Sequence, residues 1–99
     1  MVRHIVAWNH KEGDQQQRQE VALRIKQGLE GLAAEVPGVV EIRVETALLP
    51  TSTHALLLNS TFENEEALAA YQQHPAHKQV GALIKETMHQ RVCVDYHVD

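Results

Sequence analysis

The residues best suited to chemistry lie in one short stretch, Tyr71-Gln72-Gln73-His74-Pro75-Ala76-His77. A phenol can donate a hydrogen bond to a carbonyl or a developing enolate. A neutral imidazole can accept a proton near pH 7. Together, Tyr71 and His77 suit proton abstraction next to a carbonyl. Proline disfavours helical geometry at the residue before it, so one helix ends at His74. Proline also suits the first position of a helix, so another starts at Pro75. His77 then lies near the positive end of a helix dipole, which disfavours imidazolium. Partial burial acts in the same direction. A purely structural role is also open: Tyr71 and His77 bond to each other or to nearby backbone and hold the kink. His74 is better placed to cap the second helix than to react.

Other polar residues offer less. His4 shares a strand face with Val6 and Trp8, which suits either a cleft opposite His77 or a satisfied core histidine. Cys93 is the only cysteine. Arg91 on its face favours a thiolate, but an inert buried thiol is the simpler expectation. Seven histidines raise the question of a metal. His74 and His77 stand three apart, yet the proline junction does not fix them as a chelating pair. Cys93, Asp95 and His97 share a strand face at period two. No CxxC or HExxH motif accompanies them, and no metal or organic cofactor is expected. Glu63, Glu65 and Glu66 suit a solvated helix start.

The elements that must position these residues follow from hydrophobic periodicity. Val2–Trp8 forms a first strand, with His4, Val6 and Trp8 on one face and Arg3, Ile5 and Ala7 on the other. A helix opens at Asp14 or a neighbouring Gln and carries an apolar stripe of Val21, Ile25, Leu29, Leu32 and Val36. Gly28 and Gly31 within it suit close approach to a sheet. Pro37-Gly38 stops it. Val39–Leu48 alternates, with Val40, Ile42 and Val44 inward. His54–Phe62 is a third strand, apolar on both faces around Ala55–Leu58. Asn64 caps a short helix with Ala67, Leu68 and Tyr71 on one side. From Pro75 to about Met88, the residues His77, Val80, Gly81, Ile84 and Met88 share the inner face. Arg91–Val98 is the last strand, with Val92, Val94 and Tyr96 opposite Arg91, Cys93, Asp95 and His97.

The order β-α-β-β-α-β is the ferredoxin-like α+β pattern, an antiparallel sheet with helices on one face. The apolar residues on the other strand faces need a cover. The sheet of a second copy supplies it, which predicts a homodimer.

With 99 residues, the chain is expected to be one domain, spanning 1–99. Its net charge of −4 and scattered Lys and Arg argue against a nucleic-acid partner. No apolar run approaches the ~18 residues of a membrane span, and the N-terminal run is too short for a signal peptide. A single cysteine excludes an internal disulfide and fits a reducing cytoplasm.

Several segments carry a family resemblance: Val2-Arg3-His4-Ile5-Val6, Lys11-Glu12-Gly13, Val36-Pro37-Gly38-Val39, Phe62-Glu63 with Glu66-Ala67-Leu68, Tyr71–His77, and Arg91-Val92 with Val94-Asp95-Tyr96. In this order the chain resembles the stress-responsive A/B barrel (Dabb) proteins, and the His-Pro-Ala-His segment is the most specific part. The resemblance implies a dimeric α+β barrel with a small cleft between the sheet and the helices. The first strand would line it with His4, Val6 and Trp8, the second helical region with His74, Ile84 and Met88, and the last strand with Arg91 and Cys93. It implies a small-molecule ligand, carbonyl-containing or hydrophobic.

In a branch of the family, the olivetolic acid cyclases of plants, a tyrosine and a histidine of Tyr-x-x-His-Pro-x-His act in a cofactor-independent aldol cyclisation. They match Tyr71 and His77, as hydrogen-bond donor and base. The first helix here lacks the aromatic residues that line the cyclase pocket, and Lys26 or Glu30 is placed to intrude. The polyketide substrate therefore does not carry over. A structural or stress-protective dimer without chemistry is the alternative. A cofactor-free monooxygenase or isomerase of the same superfamily is a further one.

Overall fold

The computed structural model describes residues 1–98. The elements are β1 (Val2–His10), α1 (Gln15–Glu35), β2 (Val39–Glu45), β3 (Leu56–Phe62), α2 (Glu65–Gln73), α3 (Pro75–Thr87) and β4 (Met88–His97). The sheet is antiparallel in the order β2-β3-β1-β4. This is the ferredoxin-like α+β arrangement, with the second helical region split in two at Pro75.

Local chemistry sets each helix end. Asp14 caps α1 in a reciprocal box: its carboxylate accepts from the Gln17 amide, and the Gln17 side chain accepts from the Asp14 amide. Asn64 accepts from the Ala67 amide at the start of α2. His74 is extended, closes α2, and caps α3 by accepting from the Ala76 amide through Nδ1 at 3.1 Å.

The core lies between the inner sheet face and the helices. Ile25, Leu29, Leu32 and Val36 of the α1 side meet Val6 and Trp8 of β1, Val44 of β2 and Leu56, Leu58 and Phe62 of β3. Ala22 rather than Val21 is the fully buried residue at the start of the α1 stripe. Gly28 meets α3 instead of the sheet: a Cβ there would stand 3.0 Å from Val80. Gly31 faces open space.

Four expectations are corrected by the sheet. Val40 points outward and is half exposed, because a bulge between Val39 and Glu41 shifts the alternation. β2 ends at Glu45, where its pairing with Leu57 stops. β4 begins at Met88 rather than Arg91, because Met88 already pairs with His10. Lys26 and Glu30 do not intrude inward. They turn to the free edge of β2, where Glu30 accepts from the Val44 amide and Lys26 donates to the Val44 carbonyl. An i,i+4 ion pair at 2.8 Å thereby occupies backbone groups that an edge strand leaves open.

Gly38 makes the tightest turn. Its φ is +86°, and an added Cβ would lie 2.6 Å from the Ala67 Cβ. A side chain there meets both backbone strain and a clash. Gly38→Ala should therefore cost about 2 kcal/mol or more. Chemical denaturation of the variant measures this; a loss below about 0.5 kcal/mol would refute the tight approach of this turn to α2.

Candidate functional site

α3 buries no residue completely. It packs on α1 through Val80 and stands away from the inner face of the sheet near β4. The space left is a cavity of about 480 Å³. Its floor is His4, Val6 and Trp8 of β1, with Leu58 of β3 and Leu29 of α1. Its roof is His77, Gly81 and Ile84 at the i, i+4 and i+7 positions of α3. Met88, His89, Gln90 and Arg91 close one side, and Gln72, Lys11 and Lys85 stand at the margins. A larger hollow of about 690 Å³ opens beside the start of α1, walled by His10, Lys11, Glu12, Arg18 and Glu86. It holds neither Tyr71 nor His77.

The cavity wall thus gathers His4, Val6, Trp8, His77, Ile84, Met88 and Arg91. His74 is outside it, because its ring is turned to the start of α3 as a cap. Cys93 is also outside it, on the inner face of β4 but exposed to solvent beside Asp95. Tyr71 lies beneath the wall rather than on it. It has no exposed surface. Its ring sits 4.5 Å from that of His77 and 4.8 Å from that of Phe62, centroid to centroid.

The Tyr71 hydroxyl is buried and has no hydrogen-bond partner among the described residues. Tyr71 and His77 are stacked in tilted contact, so the bond between them that would merely brace the kink is not made. Burial pushes the phenol well above its ordinary pKa, so it stays protonated as a donor. Leaving such a group unpaired costs about 1–3 kcal/mol.

His77 is half-buried. Burial holds its proton affinity below the ordinary imidazole value, and the positive charge of Arg91 acts in the same direction. It is neutral at pH 7 and can take up a proton.

His4 resolves as both a cavity-wall residue and a satisfied one. Its Nδ1 lies 2.5 Å from an Asp95 carboxylate oxygen. The carboxylate only accepts, so Nδ1 carries the proton and Nε2 remains an acceptor. Strand register brings this about, since His4 pairs directly with Asp95 across β1 and β4. The Cys93 thiol is pushed up by burial and by Asp95, with Arg91 working against them. It is not an activated nucleophile.

His89 and Gln90 are wall residues that the periodic pattern of β4 conceals. Both come from a bulge near Trp8, where the β1–β4 register shifts. Gln90 has φ +55°. Its side-chain oxygen accepts from Asn9 at 2.9 Å, and its carbonyl lies 3.1 Å from His54 Nε2. A left-handed non-glycine residue held by two neighbours is a fixed feature of this wall.

The acid response of stability tests the His77 environment. The native imidazole binds a proton less readily than the unfolded one, so the unfolded state holds more protons below about pH 6.5. The stability that His77 contributes is complete above that value and falls as pH drops through it. His10, lowered by burial and by Arg18, acts in the same sense. The denaturation midpoint should fall between about pH 7.5 and about 5.5, and less steeply in His77→Gln than in the wild type. Equal slopes in the two proteins would refute the lowered affinity.

Among curated proteins, none matches this chain. Solved structures do. A dimeric protein of unknown function and ferredoxin-like fold from Bacteroides fragilis is 30% identical, with TM-score 0.91 over 98% of this chain and 95% of that one. A dimeric ferredoxin-like protein of unknown function from Jannaschia sp. CCS1 is 25% identical, with TM-score 0.82 over 98% of each chain. The hydroxynitrile lyase of Passiflora edulis shares the fold at 19% identity, with TM-score 0.79 over 99% of this chain and 93% of that one. Residues 2–98 match the Stress Responsive A/B Barrel Domain, and the chain belongs to that family, Dabb.

Proposed function

We propose that this protein is a homodimer that binds a small carbonyl-containing or hydrophobic compound beneath α3 and acts on it by cofactor-independent acid–base chemistry. One observation carries the reading: a neutral, half-buried His77 roofs an apolar cavity while resting on a tyrosine whose hydroxyl has no partner. His77 takes a proton from the carbon next to the carbonyl. The Tyr71 hydroxyl, reached as the ligand displaces the contact above it, donates to the carbonyl oxygen as negative charge develops there. Return of the proton to a different atom completes an isomerisation, cyclisation or addition. His4, oriented by Asp95, adds a second acceptor on the floor. Hydroxynitrile lyase is an example of an enzyme on this fold, and the likeness is one of fold.

The cavity also limits the ligand. About 480 Å³ lies at the small end of ordinary ligand pockets, and α1 contributes Leu29 alone to it. That favours a compact compound over a long polyketide. The rival reading, a protective dimer without chemistry, draws on the complete burial of Tyr71.

Thermal shift against a set of small aldehydes, ketones and hydroxy-acids separates the two. A ligand at 100 times its Kd stabilises by about 2.7 kcal/mol. The wild type should respond to at least one compound, and His77→Ala should lose the response. Tyr71→Phe removes no existing bond and relieves the unpaired hydroxyl, so it should keep or raise stability while losing activity on that compound by about 10²-fold. Gly81→Leu, whose added side chain enters open space on the cavity wall, should stabilise α3 by up to about 1 kcal/mol and abolish binding. No response from any compound, or equal responses in wild type and Gly81→Leu, would favour the protective dimer.

The dimer rests on the outer sheet face. Val92, Val94, Tyr96 and Val40 are half exposed there, beside the partly covered Ile5, Ala7 and Leu57. The apolar patch of β4 and β1 on this face, bordered by the polar Arg3, Asn59, Glu41 and Arg43, is the kind of surface a monomer hides. Face-to-face packing of two such sheets is a two-fold contact, and the Bacteroides fragilis relative is dimeric. Sedimentation at micromolar concentration should give twice the 11.1 kDa of the chain. Val94→Glu should shift the mass to one chain; a wild-type monomer would refute the assembly.

A further inference from the structure

We propose that His4, Cys93 and Asp95 form a binding site for one divalent transition-metal ion of the zinc class, with a water molecule as the fourth ligand. Three donors of different elements converge there: His4 Nδ1, Cys93 Sγ and a carboxylate oxygen of Asp95 all lie within 4.8 Å of one another. The sequence pattern instead groups Cys93 and Asp95 with His97. The fold sends the His97 imidazole toward Glu65, at 3.5 Å, and brings His4 across from β1 in its place.

The spacing suits the ion. Zinc–sulfur and zinc–nitrogen bonds of about 2.3 and 2.0 Å set a tetrahedral edge of about 3.6 Å between sulfur and either other donor. Sγ is 3.7 Å from His4 Nδ1 and 3.6 Å from Asp95 Oδ1. Only the 2.5 Å edge between His4 and Asp95 has to open, to about 3.3 Å. The Asp95 side chain is 42% exposed and free to swing by that amount. It also lines a shallow hollow on the surface, which gives the ion a way in. His4 is buried and fixed, so part of the site is already organised. Three protein ligands and one open position are the usual composition of zinc sites that exchange ligands.

Charge balances as well. A thiolate and a carboxylate neutralise a dication. Arg91, on the same strand face, favours the thiolate and repels the ion, and two anionic ligands outweigh it. Binding releases the Cys93 proton to solvent. The His4 proton moves from Nδ1, which takes the metal, to Nε2. The histidine on the cavity floor thereby changes from an acceptor into a donor. The proposal stands on the convergence of the three donors and does not require the catalytic reading above.

Titration of the purified protein with Co²⁺ tests it. The expected result is a near-ultraviolet thiolate-to-cobalt band that saturates at one ion per chain and is bleached by Zn²⁺. Cys93→Ser should abolish the band. Asp95→Asn, a change at a partly exposed side chain that leaves the fold intact, should weaken Co²⁺ by at least about tenfold. His4→Gln should do the same, with far-ultraviolet circular dichroism as the control for a buried position. A band that fails to saturate overturns the proposal. So does unchanged affinity in Asp95→Asn, which would report a solitary thiol. The readout is the spectrum of the ion, so its outcome is independent of any reaction in the cavity.

Discussion

Pro75 imposes the constraint on which the site depends. Without an amide hydrogen, and with a ring that excludes helical geometry from His74, it breaks the second helical region into two. The break would leave amides at the start of α3 unsatisfied, and His74 Nδ1 accepts one of them. Because the corner is tight, the inward faces of α2 and α3 converge. Tyr71, in the last turn of α2, comes to lie under His77, in the first turn of α3. A straight helix would turn residues six apart about 120° away from each other around its axis. The contact between Tyr71 and His77 is therefore a product of the kink. The cavity is another, since the redirected α3 leans on α1 and leaves space above β1.

Most of the fold could be read from short-range rules. Asp14, Asn64 and His74 cap helices because side-chain acceptors at those positions have few competing uses, and Pro37-Gly38 ends α1 because neither residue continues it. The strands follow from alternation. Several of the failures are at places where a second strand decides. Val40 and Gln90 sit at or beside bulges, and a bulge belongs to a pair of strands rather than to one. The tie between His4 and Asp95 spans 91 residues and exists only once register is set. Lys26 and Glu30 look like intruders on a helical wheel, but the open edge of β2 offers them backbone partners that the wheel does not display. Family likeness pointed to Tyr71 and His77 as a pair; that the hydroxyl is unpaired, and under the wall rather than on it, is a consequence of packing.

The unpaired hydroxyl is a cost that a small domain has little room to carry. A chain of this size buries only about two thirds of its unfolded surface, and native stabilities lie near 5–15 kcal/mol. One buried orphan donor can therefore consume a noticeable part of the margin. Phenylalanine would pack in the same space beside Phe62 without that cost. The role proposed for Tyr71 would explain the cost that packing leaves over. The same reasoning separates Tyr71 from Ser60, which is equally buried but donates to the His4 carbonyl at 2.8 Å.

The two faces of β4 bind assembly and site together. Side chains alternate along a strand, so the residues that look outward and those that look inward cannot be moved independently. Val92, Val94 and Tyr96 stand opposite Ala7, Ile5 and Arg3 on the outer face. Between them, Cys93 and Asp95 stand opposite Val6 and His4 on the inner one. A slip of one residue would bury charge in the outer surface and expose valine to the helices. It would also part Asp95 from His4. Covering the outer face in a dimer penalises every register but this one, on a strand whose other residues are mostly exposed. In the homodimer proposed above, partner contact on the outer face would hold Asp95 against His4 through the register alone. The floor of the cavity would then be best defined in that dimer, where both faces of the sheet are covered.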